Sequence, residues 1–264
     1  MTQRIMMIGY GAMGREVHRL LPEGLALGWL VLPEADIQRA KAELPDTITI
    51  ISRIDQCDDT PSLVVECAGH PGLAAHGEAV LSRGWTLSVV SIGALSDSEL
   101  YERLRQAAIN GRGKMQILSG AVAGMDGLAS AREGGLTAVT YEARKAPKSW
   151  KGSPAEALID LNAITEATVF FEGSAGEAAR QFPANANVAA TIALCGLGMD
   201  ATRVRLMVDP DTQCNTHRIH AVGEFGEFHV EMHGNPLASN PKTSMLAALS
   251  VVRACRQLLD PVVL

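Results

Sequence analysis

The chain has 264 residues, 47% hydrophobic and 20% charged, a balance that predicts one large folded domain or two smaller ones and excludes bulk disorder or collagen-like architecture. With 23 basic and 29 acidic residues the net charge is −6, so nothing draws the chain globally toward nucleic-acid phosphates or anionic lipid. Five scattered cysteines without a CxxC pair, and no basic-then-apolar leader in the first residues, give the expectation of a cytoplasmic protein with neither a disulfide framework nor a zinc knuckle.

In chain order, short runs at 4–8, 27–32, 47–50, 63–67, 86–90 and 115–118 are apolar throughout, as strands buried on both faces of a parallel sheet are. Helical patterns at 13–21, 36–44, 72–83 and 97–110 lie between them, the last opened by the capping residues Ser96-Asp97-Ser98-Glu99. This βαβ series predicts an α/β fold, a Rossmann-type doubly wound parallel sheet over residues 1–118. Beyond residue 120 the runs alternate with period two, at 136–144, 167–172, 203–209, 216–224 and 227–232, with helical windows at 175–182 and 186–194. Residues 119–239 are therefore read as a second, α+β domain serving substrate binding and oligomerisation. The window 188–199 is apolar, but it is too short to cross a bilayer and reads as a core helix. A tail helix over 242–259, opened by Asn240-Pro241 as cap and first residue, is expected to pack 240–264 back on the first domain.

Gly9-Tyr10-Gly11-Ala12-Met13-Gly14 leaves the first strand and opens the first helix, the context a dinucleotide loop requires. Gly9 allows the tight turn, Gly11 the approach of a pyrophosphate, and Gly14 close packing of helix on strand, with Ala12 and Met13 between them at the positive helix terminus. The second strand ends Leu30-Val31-Leu32-Pro33-Glu34, without an acid at the usual place and with no arginine before Arg39, so neither NAD nor NADP is selected. Cys67 and Ala68 follow the fourth strand at the sheet edge where ligands sit, although a cysteine there also reads as a small buried residue. His70 and His76 have no carboxylate or cysteine set at metal spacing and read as ordinary surface or loop histidines, so no metal is predicted.

The small-residue stretch 119–127 reads either as a close approach to a nicotinamide or as a tight helix-packing turn. The basic loop 144–151 reads either as a carboxylate-binding cluster or as a solvated face. In Asn215-Thr216-His217-Arg218-Ile219-His220 the two histidines are three apart on a strand and face opposite sides, His217 with Ile219 and Ala221, His220 with Thr216 and Arg218. On spacing alone His217 is equally a core histidine and a general acid/base.

GYGAMG, VVECAGH at 64–70, SIGAL at 91–95, SGAVAGMDGL at 119–128, YEARKAPKSWKG at 141–152, FPANANVAA at 182–190, NTHRIHAVGEFG at 215–226 and NPKTSMLAALS at 240–250 together resemble the L-aspartate dehydrogenases over nearly the whole chain. The resemblance implies oxidation of L-aspartate to iminoaspartate with NAD or NADP, reversible, the product feeding pyridine-nucleotide synthesis or hydrolysing to oxaloacetate and ammonia. By motif, Ala121 and Asn187 contact the nicotinamide cofactor and His217 is the active-site histidine. A substrate with two carboxylates asks for cationic or N–H partners, for which Lys145, Lys148, Lys242 and Thr243 are the candidates. A homodimer through the exposed face of the second sheet is expected. Two other readings stay open: an NADPH-dependent reductase of another aspartate-pathway intermediate, and a non-catalytic dinucleotide-sensing module.

Overall fold

The apolar runs of the first half, rich in Val, Ile, Leu and Met, pair as one six-stranded sheet with every neighbour parallel. The structure is a computed structural model and describes residues 2–263 apart from the side chains of Ala184, Pro241 and Lys242. Its first elements are β1 (Gln3–Ile8), α1 (Ala12–Arg19), β2 (Leu25–Val31), α2 (Glu34–Glu43), β3 (Thr49–Ile51), β4 (Val64–Glu66), α3 (Gly69–Leu81), β5 (Thr86–Val89), α4 (Ser98–Gly111) and β6 (Lys114–Ile117). The strand order β3-β2-β1-β4-β5-β6 is doubly wound, with its switch point between β1 and β4, where such sheets bind ligands. α4 begins where the capping chemistry places it: the Asp97 carboxylate accepts from the N–H groups of Glu99 and Leu100 at 2.9 and 3.2 Å, a cap worth about 1 kcal/mol.

The chain divides into two compact units, residues 1–118 with 247–264 and residues 119–246. The second holds α5 (Met125–Glu133), β7 (Leu136–Lys145), α6 (Pro147–Trp150), β8 (Thr168–Ser174), α7 (Ala175–Gln181), α8 (Ala186–Cys195), β9 (Arg203–Val208), β10 (Asn215–Gly223), β11 (Gly226–Gly234), β12 (Pro236–Leu237) and β13 (Asn240–Ser244), and runs into α9 (Met245–Arg256). Its five-stranded sheet, β11-β10-β7-β9-β8, is mixed: β7 and β9 are parallel and the other pairs antiparallel. Alternation along these strands buries one face only. Tyr141, Ala143, Val204, Leu206, Ile219 and Ala221 pack there against helical residues such as Leu128, Ala189 and Ile192. Trp150, Phe170 and Phe182 close the core with edge-to-face contacts at 4.7 and 5.7 Å.

Two expectations are corrected. Residues 125–127, the end of the small-residue stretch 119–127, already belong to a helix that was not expected, α5, entered through Gly124 at φ 76°. The tail helix begins at Met245 rather than at 242, because Asn240–Ser244 pairs with Pro236–Leu237 as a two-stranded ladder. Proline is tolerated in such a short strand for the reason it suits a helix start, since no N–H is required of it. α9 then contributes Ala247, Ala248, Val251 and Cys255 to the core around Ile5, Met7, Leu27 and Leu30. Among the described residues no helix is long and apolar enough to cross a membrane.

Candidate functional site

In the first unit the carboxyl ends of β1, β2 and β4 open into a cleft of about 520 Å³ whose lining includes Gly9, Gly11, Cys67 and Ala68. The glycines are fixed there by contact as well as by pattern. A Cβ on Gly9, which sits at φ +87°, would lie 2.6 Å from the Ala68 Cα, and one on Gly14 would lie 2.6 Å from the Gly9 carbonyl oxygen. Gly11 is the opposite case: its Cβ would meet nothing within 4 Å, so its backbone faces open space. Gly11 also caps α1 without a side-chain hydrogen bond, leaving the first amides of that helix for an anion. Ala12, Met13 and Gly14 lie in the first turn of α1, with Met13 packed on the core, and do not line the cleft. These features fit a dinucleotide.

The second-strand end carries Leu32 and Pro33 to the cleft, as the sequence indicates, but the cleft is also lined by Asp36, Arg15 and Arg39. Arg39 pairs with Asp36 at 2.9 Å and Arg15 with Glu43 at 2.7 Å. A carboxylate suited to ribose hydroxyls and guanidinium groups suited to a 2′-phosphate therefore stand side by side. His76, read from sequence as an ordinary loop histidine, also lines this cleft.

Glu66, at the end of β4, is a polar group that sequence reasoning missed. Fully buried, its carboxylate accepts from the Ala68 N–H at 2.8 Å and from the Ser91 hydroxyl and N–H at 2.9 and 3.0 Å, tying the ends of β4 and β5 together. Burial raises its pKa, against the lowering effect of those donors. Burial also holds the Cys67 thiol well above its ordinary value, so the group lines the cleft as an inert thiol and not as a nucleophile.

In the second unit the decisive feature is a row on the packed face of the sheet. His217 of β10 lies opposite Ala143 of β7, which places Tyr141 and Lys145 on its two diagonals, all on one side. The Tyr141 hydroxyl is 2.8 Å from His217 Nδ1, with the rings nearly parallel at 20°. Lys145 donates to the Asn185 side-chain oxygen, and its Nζ lies 4.9 Å over the Trp150 ring.

These surroundings set the protonation states. Burial pushes the Lys145 ammonium down to about 8. Burial, assisted by the Lys145 charge, pushes His217 down to about 3. Burial likewise raises the Tyr141 phenol, which stays protonated. The resting histidine is thus a neutral imidazole held at Nδ1, beside a cation that prefers to lose or neutralise its charge.

Of the remaining candidates, Lys148 is exposed in α6, Asn187 is exposed in the first turn of α8, and Ala121 is partly buried in the turn before α5. Thr243 accepts from Asn240 within β13 at 3.0 Å, and the side chain of Lys242 lies outside the described residues. Tyr141 and Asn185 are additions: they lie within the stretches 141–152 and 182–190 but carry no local signal of their own.

Comparison with known proteins adds names to this geometry. Residues 126–258 match the family described as aspartate dehydrogenase, C-terminal, and residues 9–117 match the homoserine dehydrogenase NAD-binding domain. The chain is 61% identical over 258 residues to an L-aspartate dehydrogenase of Serratia proteamaculans, covering 98% of both chains. It is 52% identical over 260 residues to one of Acinetobacter baumannii, covering 98% of this chain and 99% of the other. The crystal structure of an aspartate dehydrogenase from Thermotoga maritima superposes with a TM-score of 0.80 at 25% identity over 99% of each chain. An archaeal homoserine dehydrogenase in complex with NADPH shares the fold, with a TM-score of 0.62 at 9% identity over 98% of each chain.

Proposed function

The chain belongs to the L-aspartate dehydrogenase family and oxidises L-aspartate to iminoaspartate with NAD or NADP, and from that premise we propose how its own residues divide the work. The observation that carries the proposal is the row of buried Tyr141 and His217 with partly buried Lys145. When bound, the nicotinamide supplies the redox chemistry by accepting the hydride that leaves the substrate Cα. Gly9, Gly11 and the free amides of α1 hold the pyrophosphate, Ala12, Met13 and Gly14 shape the turn, and Cys67 and Ala68 form the wall beside it. Ala121 and Asn187 are the cofactor contacts assigned to the second unit.

Lys145 takes a substrate carboxylate. A desolvated ammonium gains more from a carboxylate than a solvated one, and the pairing cancels the charge that helps to depress His217. Substrate arrival therefore raises the basicity of the imidazole at the moment a proton must leave the substrate ammonium. With Nδ1 held by Tyr141, Nε2 is the atom that exchanges this proton, and it returns one when water attacks the imine to give oxaloacetate and ammonia. Lys148, Lys242 and Thr243 are proposed for the second carboxylate.

We further assign the chain to the cytoplasm, which its five free cysteines support, and to the supply of iminoaspartate for pyridine-nucleotide synthesis. A homodimer is the assembly proposed, supported by the mixed signs on the outer sheet face, where Arg218 bridges Glu231 and Glu142. Light scattering of the purified protein tests it.

The test of function follows absorbance of the reduced nicotinamide with L-aspartate and either cofactor, beside His217→Ala. The wild type is expected to turn over and the variant to lose about 10²- to 10⁴-fold in rate while retaining cofactor binding. A wild type that binds cofactor but neither oxidises L-aspartate nor aminates oxaloacetate would refute the activity, and a fully active variant would refute the role of His217.

A further inference from the structure

The outer face of the second sheet carries a separate group of ligating side chains. His220 of β10 lies directly opposite His229 of β11, and their rings stack at 4.0 Å with 10° between planes. Glu227 stands two residues before His229 on the same face, its Oε2 3.0 Å from His220 Nε2. One ligand atom from each of the three lies within 4.8 Å of the others. His220 and His229 also line a cleft of about 230 Å³. The nearby Arg218 guanidinium is engaged by Glu231 at 2.9 Å and Glu142 at 3.5 Å.

We propose that His220, Glu227 and His229 form a zinc site on the β10–β11 hairpin. Two imidazoles and one carboxylate are a borderline donor set that suits Zn²⁺ and excludes the all-oxygen preference of Mg²⁺ and Ca²⁺. Ligand atoms about 2.1 Å from a tetrahedral ion lie roughly 3.4 Å apart. The His220–Glu227 pair is already within that spacing, and the His229 ligand atom lies within 4.8 Å of both, so the stacked imidazoles have to turn toward a common point to close the site. The donors come from paired strands and not from a loop, so the backbone that presents them is fixed before the ion arrives. Three protein ligands leave the fourth position to water. The ion would clamp β11 to β10, the strand that carries His217 on its other face. The site shares no residue with the catalytic assignment and stands or falls apart from it.

Calorimetric titration of the chelator-treated full chain with ZnCl₂ tests this, with thermal melting as second readout. One zinc per chain and a raised melting temperature are expected, with MgCl₂ giving neither. His220→Asn and His229→Asn should abolish binding, Glu227→Gln should weaken it by about tenfold or more, and a Cys214→Ser/His233→Asn variant, which removes the nearby thiol–imidazole pair at 3.6 Å, should leave it unchanged. Circular dichroism checks that each variant is folded, and Glu227→Gln keeps the shape of the site if a histidine variant is not. Absence of zinc binding, unchanged affinity in folded variants of His220, His229 or Glu227, equal binding of magnesium, or loss confined to the Cys214/His233 variant would each overturn the proposal.

Discussion

Replacing Lys145 by Met should stabilise the protein while disabling it. Methionine keeps the aliphatic stem and removes the ammonium, whose pKa is pushed from 10.5 down to about 8 by burial. At about 1.36 kcal/mol per pKa unit, holding that charge in the folded state costs on the order of 3 kcal/mol wherever the group is protonated in both states. Against this, Met loses the hydrogen bond to the Asn185 oxygen, worth about 1 kcal/mol. The balance near pH 6.5 is a gain of roughly 2 kcal/mol, or about 4 to 8 °C in Tm for a chain of this size. Between pH 8 and 10.5 the unfolded lysine binds the proton that the folded one has released, so wild-type stability rises with pH through that window and the advantage of the variant disappears. The assay is thermal unfolding of both proteins at pH 6.5 and pH 10.5, with aspartate kinetics at neutral pH. A variant less stable than wild type at pH 6.5, or a Tm difference independent of pH, would refute the account of Lys145 as a desolvated cation.

Tyr141→Phe leaves His217 Nδ1 without its 2.8 Å partner in a buried site, a loss of about 1 to 3 kcal/mol. That predicts a kcat roughly 10- to 100-fold lower with cofactor affinity unchanged; an unaltered kcat would remove Tyr141 from the mechanism. Gly11→Ala should fold normally, since its methyl meets no protein atom, yet weaken cofactor binding about tenfold or more in a fluorescence titration with reduced nicotinamide. Gly9→Ala, by contrast, forces a methyl to 2.6 Å from the Ala68 Cα at φ +87° and should lower stability by about 1 to 3 kcal/mol in a denaturant melt. Arg39→Ala should raise KM for NADP about tenfold with little change for NAD, as expected for loss of one guanidinium contact to a phosphate; equal effects on both cofactors would place Arg39 away from the 2′ position.

The parallel sheet is legible in the sequence because its inner strands are buried on both faces and read as largely apolar runs, and Gly9 and Gly14 are legible because steric contact leaves no other choice. Local signals mislead where two structures want the same residues. Asn240-Pro241 is a good helix opening and an equally acceptable short strand, and only the partner Pro236–Leu237 decides. Met125–Glu133 follows a glycine-rich stretch and has no capping side chain, so nothing local announces a helix. The site is limited by register in the same way. Alternation puts His217 on the packed face, but Tyr141 becomes its partner only because residue 217 pairs with 143. On the outer face, ending β10 at Glu224 and starting β11 at Glu227 would set His220 opposite Glu231, whereas the turn at Glu224-Phe225 sets it opposite His229. The sequence names the residue types; a two-residue slip in one turn decides whether two histidines meet.

Burial ties stability to function along one strand row. Two desolvated groups, Lys145 and His217, each disfavour charge, and each depends on a neighbour that satisfies it only in part: Asn185 offers the ammonium a single neutral acceptor, and Tyr141 offers the imidazole a single hydroxyl. A carboxylate that was part of the protein would settle the lysine permanently and leave nothing for the substrate to supply. Because the row carries no such carboxylate, a substrate with two carboxylates bound as proposed would bring the missing charge itself, and the same event would relieve the part of the His217 depression that the Lys145 charge contributes. Selectivity for a carboxylate-bearing amine and activation of the base are then one interaction, so a variant that supplies the anion internally, Asn185→Asp, should bind substrate more weakly and gain stability together.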